Sequence, residues 1–158
     1  MKRTAAVLIV IGLIGLSIFA VLSHASGRDD AKALVKKAAA YVKYQGKEKA
    51  IAEINKPRGM FDKGELYVFA YDLNGVMLAH PKNKSLIGKN LSAIPDNDGK
   101  LFRKEIVEKA ITQGSGWVDY VYLNPETNEL EHKTTYLLRA GDIILCCGAY
   151  REYSHEGD

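Results

Sequence analysis

Cysteine is scarce in this chain, and what there is makes a poor staple. The two cysteines are adjacent, Cys146-Cys147, inside the apolar run Ile143-Ile144-Leu145-Cys146-Cys147. Neighbours on a strand point to opposite faces, so a bridge between them would require local distortion. Two small buried hydrophobes are the simpler reading, while an intermolecular bridge stays open in an oxidising compartment. No Cys-x-x-Cys is present, and no lipid-accepting cysteine follows the N-terminal segment. Histidine is also rare. His80, His132 and His155 are the three that follow that segment, and none stands at metal-ligand spacing from another. No nucleophile elbow, His-Glu-x-x-His or phosphate-cradling glycine loop occurs. The residues therefore call for no metal and no cofactor, and nothing in them supports an enzyme.

Excess charge of either sign is missing too. The chain carries 22 basic and 19 acidic side chains, a net charge of +3. Without Lys2 and Arg3 it is close to neutral. With no basic stripe to neutralise phosphates, nucleic acid is excluded as a partner.

The one long hydrophobic run lies at the start. Lys2 and Arg3 precede an uncharged stretch from Ala5 to Leu22, and Ser23-His24-Ala25 supplies the small residues of a cleavage site. Residues 1–25 thus read as a secretory signal peptide. The run is near the limit of about 18 residues for a spanning helix, so an uncleaved anchor remains the alternative. Either way the rest of the chain is expected outside the cytoplasm, periplasmic or extracellular. Its roughly 130 residues suffice for one ordinary core.

After the leader, Asp29 or Asp30 is placed to cap a helix. Leu34, Val35, Ala38, Tyr41, Val42 and Gln45 then recur on one face at three- and four-residue spacing. Gly46 ends this helix, and Lys47 to Asn55 predicts a shorter one before Pro57. Leu66–Leu73 and Val76–His80 flank Asn74-Gly75, a pair suited to the positive φ angles of a two-residue hairpin. A polar loop, 81–99, leads to a predicted helix from Lys100 to Gln113. Three strands follow: Trp117–Leu123, Glu129–Leu138 and Ile143–Tyr150. The expected fold is α+β, with a long N-terminal helix laid on a five-stranded antiparallel sheet and a helical crossover between hairpin and meander. Such PAS-like architecture leaves space between the crossover and the sheet face for a small molecule.

Asp96-Asn97-Asp98-Gly99 invites a calcium-loop reading. With Gly99 at position six and Glu105 at twelve, position one falls on Ile94, which cannot coordinate a hard cation. A helix start capped near Asp98 explains the same letters. More suggestive are Trp117, Tyr120, Tyr122 and Tyr136 on two neighbouring strands, with Lys133 among them and His80 arriving from the hairpin. Tyrosines offer an apolar wall with a polar tip, and a lysine and a histidine add donors that suit a small carboxylate. Half-buried strand aromatics with a snorkelling lysine would give the same composition.

The string Tyr67-Val68-Phe69, Asp72-Leu73-Asn74-Gly75, Ala79-His80-Pro81 and Ile87-Gly88-Lys89-Asn90 resembles the single Cache domain of bacterial and archaeal sensors. So do Asp98-Gly99-Lys100, Gly116-Trp117-Val118, Asn124-Pro125, Lys133 with Tyr136, and the closing Gly148-Ala149-Tyr150. The resemblance covers roughly Ala31 to Tyr150, so residues 26–150 are taken as the domain and 151–158 as a polar tail. It implies an extracytoplasmic module that binds a small ligand, in this family often an organic acid such as acetate, propionate, pyruvate or lactate. Matching positions makes His80, Tyr120, Tyr122, Lys133, Tyr136 and Trp117 the pocket candidates, with Lys133 on the charged end. Receptors of this family continue into a second membrane helix and an output domain, whereas this sequence stops after a short tail. A stand-alone binding module serving a membrane-bound sensor kinase or chemoreceptor is therefore the expectation. Two other readings stay open: a module that docks or homodimerises through its N-terminal helix, and an exported enzyme of unrecognised type.

Overall fold

In the computed structural model the described residues are 27–152. The leader and the tail beyond 152, with His155, lie outside them. Helix α1 (residues 27–45) is followed by α2 (Lys47–Ile54), with Gly46 between them at φ 87°. Strands β1 (Asp62–Lys63), β2 (Leu66–Asp72) and β3 (Met77–Ala79) come next. A 3-10 turn at Lys84–Leu86 and helix α3 (Phe102–Gln113) make the crossover. Strands β4 (Ser115–Leu123), β5 (Leu130–Ala140) and β6 (Ile143–Glu152) form the meander.

All pairings are antiparallel, in the order β1-β2-β6-β5-β4, with β3 beside β1 on the outer edge of β2. The last strand thus closes on the first long one, with Val68 opposite Cys147 and Asp72 opposite Ile143. The architecture is the α+β, PAS-like one read from the sequence, with six strands instead of five. The added β1 is only Asp62-Lys63, too short and polar to show as a strand pattern. At the other end, β6 runs on through Arg151 and Glu152.

Side-chain alternation divides the core in two. Val68, Ala70, Leu145, Cys147 and Tyr136 face one way and pack on Ala31, Val35 and Ala38 of α1. Tyr67, Phe69, Tyr71, Cys146, Val118 and Tyr120 face the other way, beneath Phe102, Ile106 and Ala110 of α3. A fully buried side chain of the larger apolar kinds contributes roughly 1.5–3 kcal/mol, so both faces matter to stability. Cys146 and Cys147 are both free and buried, one in each cluster.

Several local expectations need correction. Residues 27–45 are helical, so Asp29 and Asp30 lie inside the helix and not at its cap. In the hairpin, Gly75 takes φ 85° while Asn74 keeps a negative φ. The turn therefore starts one step earlier: the Gly75 N–H donates to the Asp72 carbonyl at 3.2 Å, and the Asp72 carboxylate accepts from the Asn74 and Val76 N–H groups. The register shifts between Ala70 and Tyr71 as a result. At α3 the cap position is Leu101, with no side-chain cap bond. Asp96, not Asp98, organises the approach, its carboxylate accepting from the N–H groups of Asp98, Lys100 and Val121.

Candidate functional site

Lys133 is the centre of the site. In β5 it stands opposite Tyr120 of β4 and Tyr150 of β6. Its side chain does not snorkel outward; it lies across β6 and is 1% exposed. The path is open because β6 carries Gly148 there: a Cβ at that position would stand 2.3 Å from Lys133 Cε and 2.4 Å from Thr135 Oγ1. The ammonium reaches β2, where Nζ donates to the Tyr67 hydroxyl at 2.8 Å and to the Tyr150 hydroxyl at 2.8 Å. These two oxygens are 3.0 Å apart. Nζ also sits 4.2 Å from the ring centres of Tyr67 and Tyr150, close enough for cation–π attraction.

No ion pair among the described residues involves Lys133. Burial without a counter-charge disfavours the charged form and lowers its pKa to about 7. The neighbouring phenols of Tyr67, Tyr120 and Tyr150 are pushed upward by the same burial and stay protonated. The ammonium's direct contacts are neutral hydroxyls and ring faces, with the Glu65 carboxylate acting on it only at longer range.

His80 forms the adjacent wall. Its backbone N–H donates to Asn55 Oδ1 at 3.0 Å, and its Nδ1 accepts the Asn83 N–H at 3.0 Å. These bonds, from α2 on one side and the turn after Pro81 on the other, fix the imidazole against the rings of Tyr67 and Phe69. Burial first, then the nearby Lys133 and Arg103, pushes its pKa down to about 3. His80 is therefore a neutral side chain whose Nδ1 is already committed. On the far wall Tyr120 stacks on Phe102 with centroids 3.8 Å apart, and its hydroxyl meets Thr135 Oγ1 at 2.9 Å. Tyr122 stands edge-on to both rings.

Lys133, His80, Tyr120 and Tyr122 thus line one hollow of about 10 Å³, enough for a single water. A neighbouring hollow of about 190 Å³ shares Tyr67, His80 and Tyr122 with it and opens toward Lys82, Leu123 and Pro125. Trp117 and Tyr136 are not brought there. They pair across β4 and β5 on the other face, 5.1 Å between centroids, under Arg28 and Lys32 of α1. Strand parity is the reason: Tyr136 is three residues from Lys133, and Trp117 is three from Tyr120.

Tyr67, Tyr150 and Arg103 escaped the sequence reading. The alternation Tyr67-Phe69-Tyr71 was a usable signal for one aromatic face on β2, and Tyr150 shares its parity with Gly148. Arg103 had none, since it sits beside Phe102 in a helix of mixed charge.

The class of molecule follows from the architecture: a PAS-like sheet with a polar-tipped aromatic hollow under its crossover is that of a ligand-sensing domain. Residues 27–156 match the model of the Cache domain family, and the chain belongs to that family. Cache domains are extracytoplasmic sensor modules. Among the described residues no helix is long and apolar enough to cross a membrane.

The chain is 36% identical over 86 residues to the methyl-accepting chemotaxis protein McpP of Pseudomonas putida, spanning 53% of this chain but only 16% of that receptor. Among solved structures, the periplasmic sensor domain of a chemotaxis protein superposes with a TM-score of 0.65 at 24% identity, over 84% of this chain and 97% of that one. A Cache chemosensory domain that recognises carboxylic acid superposes with a TM-score of 0.61 at 26% identity, over 95% of this chain and all of that one.

Proposed function

We propose that this Cache domain binds a small monocarboxylate around Lys133 and senses it without chemical turnover. The observation that carries the reading is the buried Lys133 ammonium, held by two phenol oxygens and by no carboxylate. A ligand carboxylate would supply the missing counter-charge, with the Tyr67 and Tyr150 hydroxyls as further donors and the ring faces around the apolar remainder. The water-sized hollow does not hold an acid as it stands. Rotation of Tyr122 or displacement of the His80 segment would join it to its larger neighbour and provide the room.

Recognition of carboxylic acid by a solved Cache domain of similar fold supports the same ligand class. The chemoreceptor relative supports delivery of the signal to a membrane receptor or kinase, joined to this domain in one chain or docked on it. Residues 1–25 would direct export, as a cleaved signal or a retained anchor.

Calorimetric titration of the full chain with acetate and propionate is the test. Saturable binding is expected for the wild type and its loss for Lys133→Ala. Unchanged affinity in that variant removes Lys133 from the site, and absence of binding to any short acid overturns the reading.

A further inference from the structure

His80 owes its position to a helix and not to the sheet. The last residue of β3 paired with β2 is Ala79, opposite Ala70. Just beyond it the His80 N–H donates to Asn55 Oδ1 at 3.0 Å. Asn55 is the C-cap of α2, at φ −75° and ψ −3°, and its own N–H extends the helix by donating to the Ile51 carbonyl at 3.1 Å. Its side chain therefore travels with α2. A second tie runs beside the first: the Lys82 ammonium lies 2.9 Å from Asp62 Oδ1, and Asp62 Oδ2 accepts the Arg58 N–H at 2.8 Å. The turn after β3 is thus fastened at two points to the segment that joins α2 to β1.

The rest of the hollow is less free to move, since Tyr67, Phe69, Tyr120 and Lys133 stand inside paired strands. Of the movements that would enlarge it, displacement of His80 is the one that reaches another element. On its far side that element leans on α1. Ile54 and Phe61 are fully buried in the cluster beneath α1, and the Phe61 ring stands edge-on to Tyr41 with centroids 5.6 Å apart. The two helices meet at Gly46, whose φ of 87° and ψ of 162° are open to glycine alone. Its N–H donates to the Val42 carbonyl and its carbonyl accepts the Ala50 N–H, while no side chain caps α2 there. One residue that absorbs the change of direction between two helices is the form that hinges take.

Resting on the acid-binding reading above, we propose that Asn55 is a positioning residue that couples the hollow to α2. A ligand that displaces His80 moves Asn55 with it, and α2 turns about Gly46 against α1. Occupancy of the hollow under α3 is thereby reported on the opposite face of the sheet, at the helix that follows the apolar run Ala5 to Leu22 in the chain.

Amide hydrogen exchange of the full chain, read by NMR with and without propionate, is the test. In the free protein the amides of His80, Ala50 and Ile54 are expected to open together, with one dependence on denaturant. Asn55→Ala should speed exchange at His80 by roughly tenfold, the loss of one hydrogen bond. Asn55→Asp keeps an acceptor oxygen and should hold that rate near the wild-type one. Saturating propionate should alter exchange at Ala50 and Ile54 in the wild type and in Asn55→Asp. In Asn55→Ala the acid should still bind by calorimetry but leave those two amides unchanged. Independent opening of His80 and α2 in the free wild type overturns the coupling. So does binding of propionate without an α2 response in the wild type, or a response that persists in Asn55→Ala. The wild-type comparison decides even where Asn55→Ala fails to fold. Should no short acid bind, the acid-binding reading falls, and exchange in the free protein alone decides whether Asn55 joins the wall to α2.

Discussion

Gly148 and Lys133 compete for one volume: the lysine stem passes where a Cβ on residue 148 would stand, 2.3 Å from Cε and 2.7 Å from Cγ. The glycine is needed for space, since its φ lies outside the left-handed range. It lets an ammonium cross from β5 over β6 to a tyrosine on β2, and so turns an ordinary strand lysine into a buried one.

The first prediction follows. Gly148→Ala should force the lysine off its path, at an overpacking cost of about 1–3 kcal/mol, and abolish acid binding. Because the Lys133 stem is close at Cγ as well as at its end, rotation of the tip alone does not relieve the contact. Thermal unfolding and calorimetry on the same preparation check both parts. A stable Gly148→Ala protein with full affinity would show that the lysine reaches the ligand by another route.

Lys133 also gives a pH signature. Its folded pKa, about 7, lies below the ordinary 10.5, so between these values the unfolded chain binds a proton that the native protein lacks. Stability from this group therefore rises with pH, by at most about 1.4 kcal/mol per unit. It is lowest at and below pH 7, where the buried ammonium is charged. Lys133→Met removes both charge and slope. The difference in unfolding free energy between variant and wild type should shrink from pH 7 to 9, with the variant the more stable at pH 7. Acid binding to the wild type should weaken above pH 7 as the ammonium is lost. Denaturant titrations at three pH values test the first statement, and a pH-independent difference would contradict it.

His80 follows the same sign in a lower pH window. With a pKa of about 3, its imidazole should show no NMR titration between pH 8 and 5, whereas an exposed histidine moves near 6.5. The sign for stability is that of a depressed group. Below 6.5 the unfolded chain takes up a proton that the native protein refuses, so His80 makes stability fall on acidification toward 3. A midpoint near 6.5 for its ring resonances would mean that Nδ1 is not the acceptor for Asn83.

How much of this was legible depends on what each residue has to do. The sheet was legible because apolar alternation, Asn74-Gly75 and the turns at Asn124-Pro125 and Gly141-Asp142 are local devices. His80-Pro81 at the end of a strand marked the rim for the same reason. Lys133 with Tyr120 and Tyr122 came from shared strands. Trp117 and Tyr136 entered the candidates by matching the family's positions, although strand parity sets Trp117 on the face opposite Tyr120 and Tyr136 on the face opposite Lys133. Tyr67, Tyr150 and Arg103 join the hollow only through pairing of β2 with β6 and docking of α3. Those contacts are 83 residues apart in sequence for the two phenols, and local pattern does not encode them. Asp96 outdid Asp98 at the helix approach because one of its carboxylate oxygens reaches the Val121 N–H on β4, another distant contact.

The mouth of the larger hollow supplies the last prediction. Lys82, two residues past His80, has its ammonium 2.9 Å from Asp62 on β1 and 2.8 Å from Glu126 in the β4–β5 turn. The Asp62 contact is close in distance, but the Oδ1 atom lacks hydrogen-bond geometry. Burial acts to raise the Asp62 carboxyl, yet the Arg58 N–H and the Lys82 ammonium outweigh it and hold it below its ordinary range. One side chain thus ties the His80 segment to both flanks of the opening. Lys82→Met should cost about 1–3 kcal/mol, because a nearly buried carboxylate loses its cation. That loss should grow as pH rises past the Asp62 pKa, since only the ionised carboxylate needs the ammonium. The same change should speed both entry and escape of a bound acid, with a smaller effect on the equilibrium constant, because the variant frees the opening and leaves the Lys133 contacts in place. Stopped-flow mixing with propionate, followed by tyrosine fluorescence, reads both rates. Rates equal to the wild type in a measurably less stable variant would show that the ion pairs hold the fold but do not govern access.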